Sequence, residues 1–378
     1  MGHNAGLEEL RNSPVKVSVV TDERYRPDHW SELDFAFLVH PRTVRDVWHT
    51  YPELWGRPAA EIMEELRHID THVISSIEVE WEGRRFHGEL VGIPYLPEEL
   101  IRDPHGARSA LREALRYCGY RGARMVGLGA LLPSLTRAGS MLANEFHAPG
   151  ITTGHGYTAL AIAWHVAGVS CVLGLDTPSV AVVGAAGSTG RAAIRCMNRL
   201  GEQNLILIDR PEKHALLQRF AGELEGNVRI ETDLSALRQA RIVVCVTNSV
   251  RALIQAGMLS EGCVVIDDAQ PENVSRQVAE ERPDITVLKC LAHVPGLNFP
   301  FDMEFFPKSL REQTGEYTYT CLAETILLTA AGCRDHFSIG DPTLSQLNQL
   351  EELADRWNVG IAPLHSFPSV SMVDLGDS

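Results

Sequence analysis

Three glycines and one cysteine carry most of the chemistry this sequence offers. Gly184, Gly187 and Gly190 stand in VAVVGAAGSTG, a GxxGxxG turn between an apolar strand-like run and a helix-like run with apolar positions at Ala193, Ile194, Met197 and Leu200. A pyrophosphate needs close backbone approach and the partial positive end of a helix, and glycines at such a turn permit both. The turn therefore reads as a dinucleotide site, with Ala185, Ser188 and Thr189 as its other residues and Thr247, just past a later strand run, assigned to the same site. Asp209 ends the next strand run, where an acid accepts hydrogen bonds from an adenosine ribose and repels a 2′-phosphate. Arg210 beside it has the fork geometry to clamp that phosphate instead, so the expected cofactor is NADPH or NADH.

The sequence shows no GxSxG elbow and no HExxH, which turns attention to cysteine as a reacting group. Cys118, Cys171, Cys196, Cys245, Cys263, Cys290, Cys321 and Cys333 include no CxxC pair and no metal-ligand spacing. Cys196, Cys245 and Cys263 fall in helical or apolar strand runs and read as core. Cys321 differs, because GEYTYTCLAETILLTAAG places it near the start of an apolar helix. Backbone N–H groups and the helix dipole there can lower a thiol's pKa and expose a thiolate; simple burial in the helix is the alternative.

Both features need elements to hold them. Six strand-like runs, SVAVVG, NLILID, VRIET, RIVVCV, CVVIDDA and ITVLKC, alternate with segments able to hold helices over residues 179–290. That pattern predicts a parallel sheet with crossover helices, a Rossmann-type α/β fold. The expected organisation is an N-terminal extension (residues 1–35), an α+β substrate- and carrier-binding domain (36–175), the dinucleotide domain (176–295) and a C-terminal helical region carrying Cys321 (296–378), whose helices pack back onto the first domain. Within the first domain, HVISSIEVEWEGRRFHGELVGIPYL predicts a hairpin turning at Glu82-Gly83. A formal charge of −15 argues against nucleic acid or anionic membrane as a partner. No apolar run reaches membrane-spanning length and the N-terminus lacks a leader pattern, so a reduced cytoplasmic setting is expected.

Taken in order, FHGELVGIPYLPEEL, GITTGHGYTA, VAVVGAAGSTG, LILIDR, VVIDDAQPENV, TYTCLAETILL and HFSIGDPTLSQLNQLEELADRWNVGIAPL resemble the cyanobacterial long-chain acyl-(acyl-carrier-protein) reductases. The resemblance implies that Cys321 is a nucleophile, that an acyl group passes to it from an acyl carrier protein or acyl-CoA, and that hydride from NADPH releases an aldehyde. This chain departs from the family pattern at Asp209, at His155 in place of an asparagine and at Tyr157 in place of a histidine.

A thioester reaction also needs oxyanion donors and a proton donor. Thr152, Thr153, His155 and Tyr157 lie together ahead of the helix-like TALAIAWHVAG and are the candidates, His155 as a catalytic residue and the others as substrate contacts. A helix cap and an exposed loop histidine are the plainer reading. Arg108, Arg112 and Arg116 recur every four residues, a stripe that would dock an acidic carrier or simply be a solvated helix face. Two other functions stay open: a shikimate-type dehydrogenase that transfers hydride without a covalent intermediate, and a non-catalytic nucleotide-binding scaffold.

Overall fold

The computed structural model describes residues 33–69, 71–299 and 316–362. Nearly all of the expected N-terminal extension and most of GLNFPFDMEFFP lie outside the described residues.

Strands β1 (Phe35–Val39), β2 (His72–Trp81), β3 (Arg84–Gly92), β4 (Met125–Leu128) and β5 (Gly150–Thr152) build the first sheet. Strands β6 (Val180–Val183), β7 (Asn204–Ile208), β8 (Asn227–Glu231), β9 (Ile242–Cys245), β10 (Val264–Asp267) and β11 (Thr286–Leu288) build the second. The hairpin between β2 and β3 turns where the sequence places it, with Glu82 and Gly83 at φ 52° and 74°. Two consecutive positive φ values are what a two-residue turn needs to match the strand twist. β3, β1, β4 and β5 run parallel.

The second sheet has the order β8-β7-β6-β9-β10-β11, all parallel. All six runs predicted from the sequence appear in it. β6, β9 and β10 are buried along their whole length, as helix coverage on both faces requires. Strand order reverses between β6 and β9, the switch point at which such sheets open a crevice at their carboxyl ends.

Later segments tie the sheets together. β12 (Leu291–His293) pairs antiparallel with β14 (Tyr317–Tyr319) and β15 (Gly360–Ile361), while β13 (Leu297–Asn298) extends the first sheet alongside β2. The helices that matter for the site are α1 (Val44–Thr50), α2 (Pro104–Tyr120), α3 (His155–Val172), α4 (Ser188–Arg199), α5 (Thr320–Ala330) and α6 (Leu344–Arg356). α3 is apolar around most of its circumference, so it can only be a core helix; it packs on α4, α5 and α6. α5 returns from the second sheet to lie across β1 and β4. Gly127 on β4 permits this approach, because a Cβ there would run into the Thr325 hydroxyl of α5. Trp357, at the end of α6, stacks on Trp81 of β2 with centroids 5.2 Å apart. Among the described residues no helix is long and apolar enough to cross a membrane.

A buried charge cluster holds α2 onto the first sheet. Glu89 of β3 accepts from Arg121 at 2.8 Å and from the Tyr117 hydroxyl at 3.0 Å, and both charged side chains are 7% exposed. Removing one partner of a buried pair costs about 3–5 kcal/mol, because the other is left without compensation. Glu89→Ala should therefore lower unfolding free energy by about that much in urea titration. A loss below about 1 kcal/mol would mean that solvent or another acid replaces the carboxylate.

Candidate functional site

The glycine turn is fixed by close backbone contact. Gly184 has φ +88°, and a Cβ there would lie 2.8 Å from the Val246 carbonyl oxygen; a Cβ at Gly190 would press into the Gly184 carbonyl. α4 starts beyond Gly187 with no side chain capping it, which leaves its first N–H groups for an anion. The Asp209 carboxylate is engaged at both oxygens, one accepting from the Ala186 N–H at 2.9 Å and the other from its neighbour Arg210 at 2.8 Å, while the residue also lines the cleft. Arg210 is exposed, 3.2 Å from Glu212. The Thr247 hydroxyl donates to Asn273 at 2.7 Å at the opposite wall.

Gly184, Asp209, Arg210 and Thr247 line a cleft that also contains Gly187, Ser188, Thr189 and His155. Ala185 and Gly190 do not line it; Ala185 is fully buried, and both serve the packing of the turn. A turn that no Cβ could enter, an open helix start and an acid at the end of the second strand fit a dinucleotide, and NAD(P) is the cofactor of this cleft.

Cys321 sits in the first turn of α5, at the inner end of that cleft. It also lines a second, largely apolar pocket in the first domain, walled by Phe37, Val39, Ile74, Leu90, Ile93 and Phe299. The two spaces meet at this residue together with Tyr319, Ala130 and Gln270. Gly154, at φ +74°, lets the Cys321 backbone lie directly against it. The thiol is not activated in the way its helix position predicts. Burial pushes it up to about 12, the Asp268 carboxylate adds to that, and the N–H groups of Leu322 and Cys321 only partly oppose both.

The TTGHGY segment is built around an acid that sequence reading did not single out. Glu324, one turn along α5 from Cys321 and fully buried, accepts from the Thr152 hydroxyl and from the Tyr157 N–H at 2.7 Å, with the Gly156 N–H also facing it. The Thr153 hydroxyl donates to the Ser338 carbonyl. Tyr157 points into the core, where its ring meets Trp164 and its hydroxyl donates to the Gly360 carbonyl at 3.2 Å. Thr152 and Tyr157 therefore position the site rather than touch a substrate, since neither lines the cleft or the cavity. His155 does line the cleft, hydrogen-bonded to the Ser188 hydroxyl at 2.7 Å. Burial holds its pKa down at about 4, so it is neutral at physiological pH and is not an imidazolium acid. The signal for Glu324 was a lone charge in an apolar run, and for Gly154 a glycine just ahead of a helix start.

The arginine stripe on α2 is largely committed within the chain. Arg108 donates to the Leu135 carbonyl at 3.1 Å, Arg112 pairs with Glu145 at 2.7 Å, and Arg116 lies over the Phe146 ring. The three half-buried side chains thus fasten α2 to the segment that follows β4.

The profile of the Shikimate / quinate 5-dehydrogenase family matches residues 169–289, the nucleotide-binding sheet and its approach. Aminotransferase PigE of Serratia sp. (strain ATCC 39006) is 24% identical over 293 residues, which span 75% of this chain and 33% of that protein. The chain thus covers about a third of the length of that relative. Similar solved structures include the Entamoeba histolytica malic enzyme, at 13% identity, covering 68% of this chain and 53% of that one with a TM-score of 0.37. Shikimate 5-dehydrogenase from Listeria monocytogenes is 12% identical, covering 71% and 89%, with a TM-score of 0.33. These findings correct the family resemblance drawn from the motifs: the matching profile is that of a shikimate/quinate dehydrogenase, and the chain is not assigned to the acyl-(acyl-carrier-protein) reductases. The chain carries an NAD(P)-binding domain of dehydrogenase type.

Glu324→Ala should destabilise the fold by about 2–4 kcal/mol, because the Thr152 hydroxyl and the helix-start N–H groups lose their acceptor in a dry site. Glu324→Gln, which keeps an acceptor oxygen, should recover a large part of that loss in thermal unfolding. Equal losses in the two variants would show that charge, and not acceptance, is what the segment needs.

Proposed function

We propose that the chain catalyses NAD(P)H-dependent reduction of a carbonyl carbon held beside Cys321, on a substrate whose apolar part fills the cavity of the first domain. The observation that carries this reading is the position of Cys321, which lines the nucleotide cleft and the apolar cavity at once. A carbon placed there is within reach of a cofactor from one side and a hydrocarbon pocket from the other. Most of the accessible wall is hydrocarbon, and Arg42, Asp46, Tyr51, His72 and Gln270 add polar groups at it, which suits a substrate with an apolar body and a polar group.

Two forms of the reaction fit. In the covalent form, the Cys321 sulfur attacks a thioester of coenzyme A or of an acyl carrier protein. A bond forms from that sulfur to the acyl carbon, the donor's C–S bond breaks and the donor leaves as a thiol. Hydride from NAD(P)H then reaches the acyl carbon, the bond to Cys321 breaks, and the sulfur takes up a proton as the aldehyde departs. The geometry at Cys321 supports this form. In the direct form, hydride passes between NAD(P) and a carbonyl or alcohol carbon with no bond to cysteine. The shikimate/quinate dehydrogenase profile supports that form more strongly than the covalent one. The aminotransferase activity in the name of PigE is not carried over, since the chain spans 33% of that protein.

Intact-protein mass spectrometry after incubation with octanoyl-CoA, without cofactor, separates the two. The covalent form predicts one added octanoyl mass in the wild type and none in Cys321→Ala, with NADPH binding retained in both. Oxidation of an aliphatic alcohol by Cys321→Ala at the wild-type rate, with no adduct in either protein, establishes the direct form instead.

Cofactor choice rests on Arg210. Its guanidinium is exposed at the ribose end of the cleft, so Arg210→Ala should weaken NADPH binding by about ten-fold, worth roughly 1.4 kcal/mol, and leave NADH nearly unchanged in fluorescence titration. Equal weakening of both nucleotides would place the 2′-phosphate elsewhere.

A further inference from the structure

Carbonyl reduction consumes or releases a proton at the reacting centre, and most polar groups near it are already engaged. The Thr152 and Thr153 hydroxyls donate to Glu324 and Ser338. Thr158 and Thr320 pair with each other at 2.8 Å, and the Tyr319 hydroxyl accepts from Arg42 at 3.2 Å. His155 is neutral and bonded to Ser188.

Asp268 is different. It follows β10 at the carboxyl end of the second sheet and lines the cleft with Cys321. Its neighbour Asp267 is a loop anchor, with its carboxylate accepting from the N–H groups of Ala269, Asn273 and Val274 at 3.2, 2.8 and 2.9 Å. The carboxyl of Asp268 has no hydrogen-bond partner among the described residues, although its backbone N–H is held by the Cys245 carbonyl. The groups that face it are Lys289 and Cys290 just beyond β11, Asp267 on its own strand and Cys321 on α5. A half-buried carboxyl with no hydrogen-bond partner of its own among the described residues, lining the same cleft as Cys321, is free to exchange a proton with a group bound there.

We infer that Asp268 is the acid–base group of this site. The inference rests on the carbonyl-reduction reading and serves both of its forms. In the covalent form the carboxylate accepts the proton of the Cys321 thiol as sulfur attacks and passes it to the departing donor thiolate. The carboxylic acid then gives a proton to the Cys321 sulfur as the aldehyde leaves. In the direct form the acid gives its proton to the carbonyl oxygen as hydride arrives at carbon. Burial raises the carboxyl to about 8, Lys289 opposes the rise and Asp267 adds to it. The acid form that the direct reaction needs therefore predominates at neutral pH, and the carboxylate that opens the covalent form gains on it as pH rises through about 8.

Two measurements on the full chain test this, with wild type and Asp268→Asn compared throughout and NADPH binding used to confirm that the variant folds. The first follows alkylation of Cys321 by iodoacetamide against pH, read by peptide mass spectrometry. A carboxylate facing the thiol disfavours the thiolate, so between pH 8 and about 10 the variant should react faster than wild type. Superimposable profiles would show that the carboxyl does not face the thiol and would overturn the inference. The second follows turnover of octanoyl-CoA and of octanal. Octanal reduction needs the acid form, so its wild-type rate should fall above about pH 8. Octanoyl-CoA needs the carboxylate for acylation and the acid for aldehyde release, so its rate should peak near pH 8. Asp268→Asn should lose about 100-fold on both, together with those limbs. A shifted alkylation profile with undiminished turnover would overturn the acid–base role. A wild type inert toward both probes, with the alkylation profile still shifted, would sink the carbonyl-reduction reading and the acid–base role with it, leaving only the Asp268–Cys321 pairing.

Discussion

One buried carboxylate sets the geometry on which this site depends. Glu324 lies in α5, a helix with almost no other polar surface, and faces the start of α3, where N–H groups lack intrahelical partners. Taking a carboxylate out of water is costly, and burial raises its pKa accordingly. The helix-start N–H groups, the Thr152 hydroxyl and the positive end of the α3 dipole together offset that cost. The same contact brings the two helix starts together. Cys321, one turn back along α5, consequently meets Gly154, and only a residue without a Cβ could stand there.

A second buried cluster fixes how the two sheets face each other. Arg42, just after β1, pairs with Asp46 at 3.2 Å, donates to Gln270 at 2.7 Å and to the Tyr319 hydroxyl at 3.2 Å, and lies 3.5 Å from Glu272. Gln270 and Glu272 belong to the loop after β10, so one guanidinium bridges the first domain and the nucleotide domain. Lys289 and Arg42 hold the Glu272 carboxyl down at about 2 in spite of its burial. Five donors in one plane let a single side chain make contacts that a lysine could not. The bridge lies along the line where cavity and cleft meet, which makes their alignment a property of the fold and not of a mobile loop.

What the sequence disclosed follows the same physics. Strands of the second sheet are buried on both faces, so their continuous apolar runs stood out, and the Glu82-Gly83 turn declared itself through the one geometry a two-residue hairpin accepts. The glycine turn was legible because a clash with backbone is written as glycine. Side-chain pairing across the fold is not written that way. Arg112 and Glu145 are far apart in sequence, so their pairing could not be read from the stripe on α2. Thr152 and Tyr157 looked available because nothing local reveals that Glu324 and the Gly360 carbonyl claim them. The thiol's pKa was misjudged for a related reason: a helix start is visible in sequence, whereas the desolvation that outweighs it is a product of packing.

That desolvation changes what kind of nucleophile Cys321 can be. A thiol held near 12 carries almost no thiolate at neutral pH, so the helix dipole cannot be the source of its reactivity. Intrinsic nucleophilicity of a thiolate rises with its pKa, so the rare ionised form is also the more reactive one. In the covalent form of the proposed reaction the sulfur would therefore be engaged only when a neighbouring group accepts its proton, at a point walled by hydrocarbon on one side and by the nucleotide cleft on the other.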